Sequence, residues 1–267
     1  MTVVVGVDYL DEILVIGDSR VSYPNGQYEA NRGLKKLLVF GNKNKVVALG
    51  FAGHINGARV VIGNLMRKLT PNYKRPLVIA HLKEDMRKWI QEVVIELPSA
   101  ELEGLSFILC ALEPSRRRPL RRGEVIVPSP FPERHICIYS VNSRKQVEMR
   151  DGGPIAVIGS GRELESNIQH QVSHLINFGR GAPNFQMNRM TVAHDVISLM
   201  FHDLNSSSVG GPFQIIRIVA PPSKSQEIYM WFPEAPEVEV EHKRDMSIMR
   251  NRRTGETCTL FPIWEWH

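Results

Sequence analysis

Two short apolar, β-branched runs open the chain, "TVVVGV" at 2–7 and "ILVIG" at 13–17, with the polar "DYLDE" between them. Such a pair around a polar break predicts a β-hairpin. "KKLLVFG" and "KVVALGFAG", joined by "NKN", predict a second. The period then lengthens. The segment from about Asn56 to Leu69 is long enough for a helix and lacks proline, although Val60, Val61, Asn64, Leu65 and Lys68 mix faces. From Pro76 to Leu97, Ile79, Leu82, Met86, Trp89, Ile90 and Val93 recur at helical spacing. Pro76 suits the first turn of that helix.

Strand-like runs return as "LSFILCAL" at 105–112, "HICIYSV" at 135–141 and "PIAVIGSG" at 154–161. Helices follow at about 162–178 and 190–204. "FQIIRIVA" at 213–220 and "EIYMWF" at 227–232 close the strand set. The order is strands, two helices, strands, two helices, strands. It predicts an α+β chain in which two sheets lie between two helical layers, a four-layer αββα sandwich that buries every apolar face. One domain over 2–232 accounts for these elements. The tail over 233–267 differs, with "EVEVEHKR", "RNRRTG" and the aromatic "LFPIWEWH". It reads either as an extension docked on the body or as an arm reaching a neighbour.

Composition narrows the class. Of 267 residues, 43% are hydrophobic and 23% charged, which suits a packed globular chain rather than a disordered one. No apolar run reaches the roughly 18 residues of a membrane-spanning helix, and the N-terminus lacks the basic region of a signal peptide. Cys110, Cys137 and Cys258 are widely separated, and the first two sit in apolar runs. They read as buried thiols rather than disulfides or metal ligands, in a reducing cytoplasm. The net charge is +5, and five arginines fall in "SRRRPLRRG" at 115–123. Without interleaved aromatics or a nucleic-acid motif around them, they read as a solvated loop. His54 and His194 read as ordinary polar residues. The His and Asp spacing at 194–203 brings no further ligand that names a metal, and no cofactor motif is present.

The N-terminus carries the candidate chemistry. A threonine hydroxyl is a weak nucleophile without a base nearby. Removal of Met1, which a small second residue permits, gives Thr2 a base on its own backbone, an α-amine with a pKa near about 8. A Met-Thr start alone says little, since many chains have one and do nothing with it. The residues around it add weight. Asp18 ends the strand paired with the one Thr2 begins, which predicts that it lies beside Thr2. "KKL" at 35–37 brings a lysine to the next strand. A lysine near a hydroxyl and an ammonium lowers the pKa of both, and an aspartate holds that lysine charged and oriented. In "FAGH" at 51–54, Gly53 ends a strand just before a helix, with a backbone N–H free to meet an oxyanion.

These stretches, in the order "TVVVGV", "GDSR", "KKL", "GFAGH", "IAVIGSG" and "SSSVGG", resemble the proteasome β-subunit family, including the bacterial HslV-type peptidases. These are N-terminal-nucleophile (Ntn) hydrolases. The resemblance spans roughly residues 2–220. It implies the αββα sandwich and a set of roles. Thr2 would be the nucleophile and its amine the base. Lys36 would tune the hydroxyl, Asp18 would pair with Lys36, and Gly53 would donate to the oxyanion. Ser160 and Ser208 would hold the terminal amine. Phe51, two residues before the oxyanion glycine, would form the base of the pocket for the residue before the cleaved bond. Val21 and Ile55 would line that pocket. Alternatively Arg59, one helical turn beyond Ile55, would reach the rim and attract an acidic side chain. The family pattern Asp-x-x-Ser-Gly-Gly is altered here to "HDLNSSSVGG". Asn205 takes the Asp position if Ser208 is the serine, and Asp203 lies just upstream.

The implied activity is threonine endopeptidase, acting on peptides or unfolded proteins inside a homo-oligomeric ring. With no G-x-x-x-x-G-K-[ST] motif in the chain, any ATP use belongs to a separate ATPase unfoldase. Two alternatives stand beside it: an Ntn amidohydrolase acting on a small amide, and a catalytically inert proteasome-like scaffold.

Overall fold

Valines dominate the first strand, β1 (Val3–Tyr9), and apolar residues fill most of its hairpin partner, β2 (Glu12–Asp18). β-branched side chains suit a pleated, covered surface, and all seven residues of β2 are buried. The computed structural model describes residues 3–9, 12–21, 31–42, 45–72, 79–113, 133–160, 165–181, 189–203, 212–219, 224–231 and 238–265. Across them the chain continues through β3 (Arg32–Leu34), β4 (Leu37–Asn42), β5 (Lys45–Ala52), α1 (Ile55–Asn72) and α2 (Ile79–Val94). Then come β6 (Ser106–Glu113), β7 (Glu133–Val141), β8 (Val147–Asp151), β9 (Ile155–Gly159), α3 (Glu165–Gly181) and α4 (Arg189–Asp203). The last strands are β10 (Pro212–Val219), β11 (Lys224–Trp231), β12 (Val238–Lys243), β13 (Met246–Asn251) and β14 (Thr257–Phe261). The described residues thus form an α+β structure, rich in strands, with four α-helices.

The strands form three sheets, ordered β11-β10-β2-β1-β9, β4-β5-β6-β7-β8 and β12-β13-β14-β3. Side-chain alternation explains how the two larger sheets are covered. Val3, Val5 and Val7 of β1 pack with Ile168 and Val172 of α3 and with Val192, Val196 and Ile197 of α4. Val4 of β1 and Val15 of β2 point the other way and meet Ile108, Cys110 and Ile138 of the second sheet. The second sheet's far face carries Leu49, Phe51, Phe107 and Tyr139, which pack on Val61 and Leu65 of α1 and on Met86 and Ile90 of α2. Full burial of each such aliphatic side chain contributes about 1.5–3 kcal/mol before the entropy of ordering is subtracted.

The predicted hairpins and four helices appear near their expected positions. Strands β3, β8 and β12–β14 are additions that the apolar pattern does not announce. The tail lies on the body, because β14 runs parallel to β3 and pairs Leu260 with Gly33. Ile263, just beyond β14, is buried in the cluster of α1 and α2. Cys110, Cys137 and Cys258 are free and buried. The arginine stretch 115–123 lies outside the described residues. Among the described residues, no helix is long and apolar enough to cross a membrane.

Candidate active site

Hairpin register sets the first contact. Val4 pairs with Gly17, so Val3 stands beside Asp18, and the Val3 N–H donates to Asp18 Oδ1 at 2.9 Å. The same oxygen accepts from Lys36 Nζ at 3.0 Å. Lys36 also donates to the Arg20 carbonyl at 2.6 Å. Both side chains are buried, with exposures of 1% for Lys36 and 0% for Asp18. Two charges in such a place require each other, since an unpaired one would carry its whole desolvation cost. Asp18 Oδ2 is buried and has no hydrogen-bond partner among the described residues.

Burial raises the Asp18 carboxyl above its usual range, against the opposing pull of the Lys36 ammonium. Burial likewise lowers the Lys36 ammonium, against the pull of Asp18. Both shifts narrow the gap between the two groups, so Lys36 gives up its proton more readily than a solvated lysine does.

Strand β5 brings the next component. Leu37 pairs with Gly50, and the Phe51 N–H donates to the Lys36 carbonyl at 3.2 Å. Two residues later Gly53 turns the chain into α1 with φ +101°. A Cβ there would stand 2.5 Å from the Gly104 carbonyl group, so only glycine fits. Among the described residues no backbone carbonyl takes the Gly53 N–H. With the start of α1 beside it, this turn favours negative charge.

Ser160 is brought to the same end by β9. Val3 pairs with Gly159, and Ser160 follows it, half-buried. Val21 and Phe51 share one buried cluster, with Ile55 packed against it. The structure therefore joins Asp18, Lys36 and the end of β9 before Ser160 to the strand start at Val3, and the Phe51 N–H ties β5, which ends just before Gly53, to Lys36. Thr2, Asn205 and Ser208 lie outside the described residues. Asp203 is the last residue of α4, and its side chain is likewise outside them. His54 is exposed. His194 has its Nδ1 3.5 Å from the Asp195 carboxylate. Lys35 is half-buried, and burial lowers it, opposed by Glu227 and Asp245. Among the described residues no cluster of three or more His, Cys, Asp or Glu side chains could hold a metal ion.

One buried polar residue next to this site escaped the sequence reading. Gln214 of β10 is 2% exposed. It shares its side of the strand with Ile216 and Ile218, which pack between the two larger sheets. Its amide accepts from the Leu37 N–H and donates to the Leu37 carbonyl, both at 3.0 Å. The only signal in "FQIIRIVA" is a lone glutamine in an apolar run.

Chemically, a buried lysine whose proton is loosely held lies one hydrogen-bonded carboxylate away from the peptide nitrogen shared by Thr2 and Val3. A turn suited to negative charge stands nearby. That arrangement can assist a proton transfer and stabilise an anion.

No model of a known protein family matches the chain, and no curated protein matches it. Solved structures do. The Anbu ancestral beta-subunit from Yersinia bercovieri is 13% identical with a TM-score of 0.59, over 87% of this chain and 88% of that one. The Gly-1 mutant of Anbu from Hyphomicrobium sp. strain MC1 is 14% identical with a TM-score of 0.56, over 88% and 90%. Anbu from Pseudomonas aeruginosa, solved as a helical assembly of the Anbu complex, is 13% identical with a TM-score of 0.56, over 87% and 88%. At these identities the likeness is one of fold: the chain shares the overall fold of the Anbu subunits.

Proposed function

We propose that this chain is a threonine-type Ntn hydrolase that cleaves peptide bonds as a subunit of a proteasome-like assembly. The observation that carries the reading is the buried Lys36–Asp18 pair, hydrogen-bonded to the backbone nitrogen that follows Thr2. Removal of Met1 frees the Thr2 amine. That amine takes the hydroxyl proton as the oxygen attacks the scissile carbonyl. Lys36, held by Asp18 and the Arg20 carbonyl, lowers the cost of the developing alkoxide. The Gly53 N–H meets the oxyanion. Collapse expels the amine product, which leaves with the proton, and forms an ester on Thr2. Water, activated by the same amine, then releases the acid. Ser160 and Ser208 hold the amine, and either Asp203 or Asn205 supports Ser208.

Phe51 fills the base of the pocket that receives the residue before the cleaved bond, with Val21 and Ile55 beside it. This favours small or medium apolar side chains. The three apolar clusters are read as the interfaces between the four layers of an αββα sandwich over 2–232, with 233–267 as an extension docked on it. The working form is a homo-oligomer in the cytoplasm that takes peptides or unfolded chains, with any unfolding supplied by a separate ATPase.

The test is hydrolysis of a fluorogenic peptide panel by wild type, Thr2→Ala and Thr2→Ser, with intact mass recorded. Loss of Met1, activity in wild type, none in Thr2→Ala and part of it in Thr2→Ser is the expected outcome. Equal activity in Thr2→Ala would overturn the mechanism. A panel in which no peptide is cut, with Met1 retained, would favour the inert scaffold.

A further inference from the structure

Lys36 belongs to neither strand that flanks it. It sits in the two-residue link between β3 and β4, and such a link is poorly held unless other elements grip it. Besides the Phe51 N–H on the Lys36 carbonyl, two sets of contacts do so, and both lead to the C-terminal sheet.

The first is direct. Among the described residues, β3 pairs with no strand except β14 of the tail. Thr259 N–H donates to the Asn31 carbonyl, and Lys35 N–H donates to the Phe261 carbonyl at 2.8 Å. On the other side, Leu34 N–H donates to the Ser19 carbonyl at 2.8 Å, one residue beyond Asp18. The residues before Lys36 are thus held between the Asp18 turn and the tail. Gly33 keeps the stack thin: a Cβ there would lie 2.5 Å from Leu260 and 3.1 Å from the Ser19 carbonyl.

The second runs through side chains. Gln214 crosses from the first sheet to hold both backbone groups of Leu37. A glutamine in an otherwise apolar row is costly unless its amide is satisfied. Its Nε2 also donates to Glu227 at 2.7 Å. Glu227 accepts from the Tyr229 hydroxyl as well. That hydroxyl reaches Ser247 of β13 at 3.1 Å, and Ser247 is 3.0 Å from His242 Nδ1 of β12. Gln214, Tyr229 and Ser247 are all buried.

From these two routes we infer that the C-terminal sheet, acting through Gln214 and through the β14–β3 pairing, is a positioning device that fixes the backbone on both sides of Lys36. This rests on the role proposed above for Lys36 but is read separately from activity. Misplacement of a reacting group by about 1 Å can cost on the order of 10²-fold in rate. A link free to shift also admits water to Lys36. Because burial is the main cause of its lowered pKa, the Lys36 titration then moves upward.

Gln214→Leu removes every amide hydrogen bond at nearly constant volume. Tyr229→Phe cuts the relay to the tail and leaves the ring in place. The full-length chain carrying each change is compared with wild type in two ways. Lysine-selective 13C NMR follows the Lys36 titration, and peptide hydrolysis gives kcat and KM. The expected result is an upward shift of the Lys36 midpoint in both variants, larger in Gln214→Leu. With it comes a fall in kcat of about tenfold or more for Gln214→Leu, a smaller fall for Tyr229→Phe, and KM within about twofold. An unchanged Lys36 titration in folded Gln214→Leu and Tyr229→Phe would overturn the inference, whatever the rates. If Gln214→Leu fails to fold, Tyr229→Phe decides by the same titration. If wild type proves inactive, the catalytic reading fails, while the titration shift still supports the positioning role and its absence still overturns it.

Discussion

Strand β2 carries a buried acid at each end, Glu12 and Asp18, and the two ends behave differently. Glu12 is paired with Arg217, from the neighbouring strand of the same sheet, whose side chain is 21% exposed. Asp18 is paired with Lys36, which reaches it from the link before β4 and is 1% exposed. An arginine cannot give up its proton inside a protein, whereas a lysine can once burial lowers its pKa. One end is therefore a fixed charge pair that ties β2 to β10. The other is a pair whose proton can move, placed next to the strand start that carries Thr2. The acid residue type alone does not separate the two. The cation, the side from which it comes and its burial do.

Breaking each pair in turn should expose that difference. Lys36→Ala is expected to lower hydrolysis by at least about 10²-fold per folded molecule. It also leaves Asp18 buried and unpaired, at a stability cost of about 3–5 kcal/mol, readable by denaturant unfolding. Arg217→Met should cost about 1–3 kcal/mol and leave kcat per folded molecule unchanged. Equal loss of rate in both variants would erase the contrast between the two ends.

A sharper version keeps the charge and replaces the compact ammonium with a bulkier, planar guanidinium. Lys36→Arg should lose most of the activity even where the fold survives. In wild type, the pH dependence of kcat/KM should be narrow. As pH falls, Asp18 takes up a proton above the ordinary carboxylate value of 3.8 and stops holding Lys36, because its pKa is raised. As pH rises, Lys36 loses its proton below the ordinary value of 10.5, because its pKa is lowered. A flat profile across both limits in wild type would show that neither group takes part.

Smaller effects bound the site. Lys35→Ala removes a half-buried lysine that faces Glu227 and Asp245 rather than Asp18. It should change kcat by less than about twofold and stability by no more than about 0.5 kcal/mol. The smallest effect concerns the thiols. Burial pushes Cys258 up to about 12 and raises Cys110 and Cys137 as well. Native protein at neutral pH should show no uptake of a thiol reagent, with all three cysteines reacting after unfolding.

Much of this architecture was legible in the residues. The β-branched runs of β1 and β2 and the helical period of α2 declare themselves, and the hairpin register brings Val3 to Asp18. The tail strands were not legible for a physical reason. β12 buries none of its six residues, and only Val238 and Val240 turn toward the small core, so its alternating acids read as a solvated segment. β3 is three residues long and exists only because β14 pairs with it, a contact more than two hundred residues distant in sequence. β8 buries only Val147 of its five residues. The role of Gln214 was not legible because its partners, the backbone groups of Leu37, belong to another sheet. Single-strand patterns report burial well and cross-sheet hydrogen bonds poorly.

The central claim is that Thr2, freed of Met1 and served by the Lys36–Asp18 pair, is the nucleophile. Its most direct test is incubation of the native protein with a peptide β-lactone, followed by mass mapping. The account predicts one adduct, an ester on an N-terminal peptide that begins at Thr2, absent in Thr2→Ala and formed much more slowly in Lys36→Ala. Retention of Met1 with no adduct, or an adduct on any other residue that persists in Thr2→Ala, would contradict it.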